Sequence, residues 1–375
     1  MDPKLRFYLD RTDNVKLKYN PDHEDPPNLV HIGQRKLFLS ELRFLTDYAM
    51  NDKGRTLVIY IGAAPGQHLS LIRDLFPDVT FFLFDGAKFR ISGKTEKADF
   101  YRLDDYLIDM KPGLFLFNEL FYDYHARVLE TSFRKYLTDK DRILFISDIR
   151  TTDPDKDYVQ DHNVVMDLAL QYHIVRIMSV DMCLLKFRFP FYEDSGDPFY
   201  EDPGDILDKV KDSIMLTESP EINFAENYRN RRMVYFDGEI WPQAFQGLKS
   251  AETRLVTSGR KLKDYGELRN YEEILFGYNI LVRPNEHINE FSDLSIGFDH
   301  CGDCSIEAWT WKHYFTKVHE ISSSRKSLKN DRKSINPSFL RHQVIKHVKL
   351  LSRVTKSLIQ ENHGRLDYDP YKDIF

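Results

Sequence analysis

One stretch dictates the topology of what surrounds it: residues 56–67, TLVIYIGAAPGQ. Thr56–Ile61 is an unbroken apolar run rich in β-branched residues, the pattern of a strand buried on both faces. Gly62-Ala-Ala-Pro-Gly66 then turns the chain sharply, and residues 68–76 (HLSLIRDLF) carry helical spacing. Strand, glycine turn, helix is the opening of a nucleotide-binding α/β unit. The glycines admit a ligand close to the backbone, and the helix N-terminus supplies free N–H groups. The spacing is not G-x-G-x-x-G, and Pro65 sits inside the loop, which argues against a dinucleotide cradle. An ordinary tight βα turn also fits these residues.

The pattern continues along the chain. Val79–Phe84 (VTFFLF) reads as a second buried strand ending at Asp85-Gly86, where nucleotide-binding α/β folds hold ribose hydroxyls. Gly113–Phe117 is a third, and Arg142–Ser147 a fourth that delivers Asp148 at its carboxyl edge. Residues 174–180 and 182–189 (MCLLKFRF, carrying Lys186) read as further strands. Helical spacing covers 36–50, 119–137 and 158–172. The alternation predicts an α/β fold with a doubly wound, mostly parallel sheet, whose ligands bind at the carboxyl ends of the strands, where Gly62, Asp85 and Asp148 gather. Residues 1–33 read as an irregular arm, 87–112 as charged and irregular, and 193–212 as an acidic solvent loop. Beyond them lie a late strand, Arg232–Phe236, and helices over 270–278, 305–319 and 337–360, with a basic, serine-rich connector at 322–336.

Composition narrows the class. No run of 18 apolar residues exists, so no transmembrane helix is expected. The N-terminal MDPKLRFYLDRTDN lacks an apolar signal core. Three cysteines do not make a disulfide framework, which points to a reducing, cytoplasmic compartment. Cys301-Gly-Asp-Cys304 beside His300 invites a zinc or redox reading, but it lacks a second ligand pair. Two plain thiols are the alternative, and no metal is expected. The net charge of −6 is uneven: residues 312–365 hold thirteen Lys/Arg against Glu320, Asp331 and Glu361. A basic surface on an acidic body suits an RNA backbone or an acidic partner, or is simply a solvated helix.

With these motifs in view, residues 60–68 (YIGAAPGQH) resemble the S-adenosylmethionine (SAM) loop of FtsJ-type ribose 2′-O-methyltransferases, with its G-x-A-P-G pattern. The nearer resemblance is to the poxvirus cap-specific mRNA 2′-O-methyltransferases, which also serve as the processivity-enhancing small subunit of the viral poly(A) polymerase. It is carried in order by residues 33–36 (GQRK), the SAM loop, 83–86 (LFDG), 143–150 (ILFISDIR), 184–191 (LLKFRFPF) and 270–283 (NYEEILFGYNILVR), and more weakly by 307–315. The resemblance implies one class I methyltransferase-like domain over 1–375. That domain comprises an arm (1–33), a SAM-binding core (34–240) and a C-terminal part (241–375) that is basic from 312.

It also implies a reaction: methylation of the 2′-hydroxyl of the first transcribed nucleotide of mRNA bearing an N7-methylguanosine cap. The family's Lys-Asp-Lys-Glu tetrad matches at Lys36, Asp148 and Lys186. Lys186 is the implied general base, although a strand-edge lysine beside a helix-capping Asp148 would look the same. The fourth member is Glu226, with residues inserted after it, or Asn230, if the strand at 232–236 is superposed directly, or is absent, which would leave the tetrad incomplete. For SAM the resemblance implies Gln34, Tyr60, Gly62, Gly66, Asp85 and Ile149, with Phe121 either against adenine or in the core. The family's arginine two residues after the acid is Ala87 here. For the cationic cap, Tyr19 and Phe191 match a sandwiching aromatic pair, and Glu193 and Glu272 the acceptors for guanine's N–H groups. Capped mRNA and a poly(A) polymerase catalytic subunit are the implied partners. The competing readings are a catalytically silent, cap-binding accessory of the polymerase and an FtsJ-like ribosomal RNA methyltransferase.

Overall fold

A computed structural model describes residues 15–20, 23, 33–50, 54–151, 161–190, 222–283, 302–326 and 335–363. Strands β1 (Thr56–Ile61), β2 (Val79–Phe84), β3 (Glu96–Lys97), β4 (Gly113–Phe117), β5 (Arg142–Ser147) and β6 (Met182–Phe187) pair in parallel in the order β3-β4-β2-β1-β5-β6. The sheet is closed by β9 (Thr253–Thr257), antiparallel to β6, and β8 (Glu239–Trp241), antiparallel to β9. The doubly wound α/β class is therefore the observed one, and four strands occupy the spans their apolar runs predict.

The reason those runs are continuous is visible in β1. Leu57, Ile59 and Ile61 point into one core cluster, Val58 and Tyr60 into the other, so no residue of the strand meets water. Helices α4 (Asp123–Tyr136) and α5 (Asp161–Met178) cover the first face. Helices α1 (Gly33–Tyr48) and α2 (Leu69–Leu75) cover the second.

Three sequence expectations are corrected. Residues 174–178 lie in α5 and not in a strand: the β-branched run is apolar because that helix packs on the sheet and beside α4, and packing overrides local propensity. Residues 87–112 contain β3, a 3₁₀ turn (Phe100–Arg102) and α3 (Leu103–Asp109). The expected late strand, β7 (Arg232–Phe236), is present and pairs with β10 (Leu262–Glu267) in a separate two-stranded sheet. Helix α8 (Gly302–Lys326) runs into the stretch read as a connector. The main sheet also takes β9 from beyond residue 240.

The last third of the chain grips α1. Arg35 makes a bidentate ion pair with Glu307 of α8 (Nη2 to Oε1 2.7 Å, Nε to Oε2 3.0 Å), with both side chains fully buried. The Arg35 guanidinium lies 5.0 Å from the Phe245 ring centre. Arg43, two turns on, is held between Trp241 (3.9 Å) and Trp309 (5.0 Å). Helix α9 (Pro337–His363) adds Val344, Val348 and Leu351 to the same cluster as Trp311.

Candidate active site at the carboxyl edge of the sheet

The glycine loop leaves β1 across the end of β5. Gly62 has φ +73°, and a Cβ there would stand 2.7 Å from both the carbonyl carbon of Asp148 and the amide nitrogen of Ile149. Gly66 (φ +65°) would bring a Cβ within 2.7 Å of the Ala63 carbonyl oxygen. Only glycine fits either position. The Asp85 carboxylate accepts from the Ala64 N–H at Oδ2 (2.9 Å) and from the Ala87 N–H at Oδ1 (2.8 Å). Each oxygen keeps a lone pair for a hydroxyl. A tight glycine cradle with an anchored carboxylate at its mouth fits the nucleoside half of SAM.

The other expected SAM residues are distributed unevenly. Tyr60 is buried, and its hydroxyl donates to Glu41 Oε1 (2.7 Å), so its side chain serves the interior. Phe121 is 7% exposed, edge-on to Phe84 and stacked on His125, within the core cluster. It sits just beyond Leu120, which covers Gly86. Ile149 is half-buried against the same cluster. Gln34, at the start of α1, places Oε1 2.8 Å from His68 Nδ1.

Next to the cradle is a compact array of charge. Lys186, from β6, is 2.9 Å from Asp148 Oδ1 and 3.7 Å from Glu252 Oε2. Lys36, on the first turns of α1, donates to Glu252 Oε1 at 2.7 Å. Arg254 donates to Asp148 Oδ1 (2.7 Å) and to Gln243 Oε1 (3.0 Å), and Arg150 pairs with Glu252 Oε2. The register places Lys186 directly opposite Arg254 across the β6–β9 pair.

Lys36, Asp148, Lys186 and Glu252 are each 10–15% exposed at the side chain, largely shielded from water yet open to a substrate. Burial lowers the Lys186 pKa below the ordinary lysine value; Asp148 and Glu252 pull it back up, while Arg150 and Arg254 push it down. Burial alone would raise the Asp148 carboxyl, but Lys186 and Arg254 outweigh it and hold the group below its usual range. Glu252 follows the same logic: burial opposes ionisation, and Lys186, Lys36, Arg150 and Arg254 hold it well below the usual range.

The acid in this array is Glu252, which corrects the expected Glu226. Glu226 is exposed in the first turn of α6 (Phe224–Arg229), hydrogen-bonded to the Asn223 side chain, and Asn230 is the C-cap of that helix. Both precede β7, which belongs to the other sheet. Glu252 immediately precedes β9, the strand that does pair with β6. Glu252, Arg254, Arg150 and Gln243 were the residues the sequence reading left out. The signal for the first was a glutamate directly before the β-branched run TRLVT. Glu252→Gln is expected to lower methyl transfer at least tenfold, because Lys36 and Arg150 lose their shared anion, and Glu226→Gln is expected to leave it within about twofold; matched turnover assays of the two variants check this.

Two of the expected cap residues meet on helix α7 (Leu268–Gly277). Tyr19 packs edge-on against Phe276 (5.2 Å), and Glu272 lies one turn before Phe276 on the same helix, buried. The arm is fixed there by Leu17 N–H donating to the Glu273 carbonyl (3.1 Å) and by Lys16 donating to Asn270 Oδ1 (2.7 Å). Phe191 and Glu193 lie outside the described residues, as does Cys301; Cys304 is buried in α8.

A glycine loop after β1, an acid after β2 and a charged array at the ends of β5, β6 and β9 define the α/β architecture of Rossmann-like methyltransferases. The chain belongs to the poly(A) polymerase regulatory subunit family, whose family model, described as "Poly A polymerase regulatory subunit", matches residues 1–222. It is 29% identical over 193 residues to the myxoma virus (strain Lausanne) protein named cap-specific mRNA (nucleoside-2′-O-)-methyltransferase, covering 49% of this chain and 50% of that one. It is 28% identical over 165 residues to the fowlpox virus (strain NVSL) protein of the same name, covering 42% and 47%. The chain thus spans about half the length of the curated relatives it matches.

Proposed function

We propose that the protein is a SAM-dependent methyltransferase acting on the 2′-hydroxyl of the first transcribed nucleotide of N7-methylguanosine-capped mRNA, and that it works beside a poly(A) polymerase catalytic subunit. The observation that carries the reading is the cluster Lys36–Glu252–Lys186–Asp148, packed against the glycine cradle. SAM would be held by Gly62, Gly66 and Asp85, and when bound it supplies a methyl group on a sulfonium, which needs no metal for activation. The chain's own task is to orient a ribose hydroxyl and remove its proton.

Lys186 is the residue for that proton. Burial lowers its pKa below the ordinary lysine value, which favours the neutral amine, and the Asp148 carboxylate orients the nitrogen. Glu252 holds Lys36 and Arg150 at the mouth of the site, where two cations suit the phosphates flanking the first nucleotide. Arg254 keeps Asp148 ionised and adds positive field at Lys186. Tyr19 and Glu272 on α7 support recognition of a cationic, hydrogen-bonding base. Glu252, ion-paired to Lys36 and beside Lys186, supports a catalytic over a silent protein.

The test is an incubation with labelled SAM and short RNAs ending in an N7-methylated cap, an unmethylated cap or a triphosphate. Methyl transfer to the first ribose on the N7-methylated cap alone is the expected result. Binding of that cap without transfer would overturn the enzyme reading. Transfer regardless of the 5′ end would overturn the cap specificity.

A further inference from the structure

The arm crosses the end of α7 at a glycine. A Cβ built at Gly277, the last residue of that helix, would stand 1.5 Å from the Val15 carbonyl oxygen, 2.7 Å from the Val15 carbonyl carbon and 3.1 Å from the Leu17 nitrogen. These are backbone atoms and cannot rotate away, so the arm lies where it does because position 277 carries no side chain. Gly277 itself has ordinary helical angles (φ −60°, ψ −42°). Turn geometry therefore does not call for a glycine here, and alanine would be the better helix former.

Polar contacts fasten the arm at this crossing. Leu17 N–H donates to the Glu273 carbonyl (3.1 Å), and Lys16 Nζ donates to Asn270 Oδ1 (2.7 Å) and lies 3.1 Å from Glu273 Oε2. Arg269 donates to the other oxygen of that carboxylate (2.8 Å). Burial opposes ionisation of Glu273, but Arg269 and Lys16 outweigh it and hold the carboxyl below its usual range. Further along the arm, Tyr19 (5.2 Å) and His23 (5.7 Å) both stand edge-on to Phe276, the residue before the glycine. A methyl group at 277 would have to lift the backbone of 15–17 by about 2 Å to reach an ordinary contact distance. The Leu17 hydrogen bond, already 3.1 Å long, would not survive that, and Tyr19 would move with the strand it belongs to.

We propose that Gly277 is a positioning residue for cap recognition: by admitting the arm onto α7 it sets the Tyr19 ring as one face of the site for a cationic purine. The inference rests on the cap reading of Tyr19 given above. The acceptor in that reading, Glu272, stands on the same helix, so ring and carboxylate are mounted on one element and keep a fixed relation only while the arm is docked. A ring that stacks on a planar cation contributes little once it is displaced from contact.

The full chain and its variants are titrated with an N7-methylated cap dinucleotide, its unmethylated counterpart and S-adenosylhomocysteine. Docking of the arm is read separately, without ligand, by the rate of tryptic cleavage after Lys18. Gly277→Ala is expected to weaken the methylated dinucleotide about tenfold or more, the loss for one stacked aromatic, and to narrow the preference over the unmethylated form. It should speed cleavage in the arm and leave S-adenosylhomocysteine within about twofold, since the donor cradle is built elsewhere. In a Tyr19→Ala chain the same substitution is expected to cost no further cap affinity, because both act through one ring. Lys16→Ala, at a side chain 40% exposed, should weaken the methylated dinucleotide about two- to fivefold, and it keeps the test decisive if Gly277→Ala does not fold. Unchanged cap affinity in Gly277→Ala, equal losses for all three ligands, or additive losses with Tyr19→Ala overturn the positioning role while leaving the cap reading in place. A parent chain that binds neither dinucleotide overturns the cap reading and the inference with it.

Discussion

Lys186→Ala is expected to reduce methyl transfer by about 10²–10⁴-fold while leaving S-adenosylhomocysteine affinity nearly unchanged, because the lysine contributes proton removal and not donor binding. Lys186→Arg should fail as badly, since a guanidinium cannot give up its proton near neutral pH. Parent turnover should rise with pH and level off above the folded pKa of Lys186. That value lies below the ordinary ~10.4 because the amine is buried. Asp148 and Glu252 both raise this pKa, so Asp148→Asn and Glu252→Gln should each move the rising limb to lower pH even as they lower the plateau. Profiles of kcat/KM against pH decide it: limbs that stay in place in both variants would falsify Lys186 as the titrating base.

Glu307→Ala should be the most damaging change to stability. It leaves the Arg35 guanidinium buried without its carboxylate, and breaking a buried pair from one side costs about 3–5 kcal/mol. The double variant Arg35→Met/Glu307→Leu removes both charges with similar volume and should recover most of that loss. Urea unfolding of the three chains, parent, single and double variant, measures both quantities. A single variant that loses less than about 1 kcal/mol would mean that water reaches Arg35. Since Arg35 stands between Gln34 and Lys36, the single variant should also weaken donor binding, which separates it from a distant stability defect.

The parts of the molecule that were legible in the sequence are those where one residue type does one job. β1, β2, β4 and β5 are buried on both faces, so each is a continuous apolar run of the right length. Gly62 and Gly66 sit at positive φ, where other residues clash, and Asp85 and Asp148 sit where strands of this fold deliver acids. What was not legible depends on pairing between distant segments. A glutamate before a strand occurs more than once after residue 190, and choosing Glu252 over Glu226 requires knowing which late strand reaches β6. The run at 174–178 misled for a related reason: β-branched residues fit a strand, but they fit equally well a helix packed on a sheet. Tyr60 turns its hydroxyl to Glu41, and a strand's sequence does not reveal which partner takes a buried hydroxyl.

The antiparallel insertion of β9 sets an order of events during synthesis. Chains fold from the N-terminus as they emerge, and the cradle, Asp148 and Lys186 all precede residue 190. Glu252 and Arg254 arrive some sixty residues later, and Glu307, which clamps Arg35, later still. The glycine cradle and the Lys186–Asp148 pair are therefore synthesised well before Glu252 and Arg254, the partners that complete the charged array. On the proposed reading, the acid and the arginine that set the charge of Lys186 and Asp148 are supplied only by the nearly finished polypeptide.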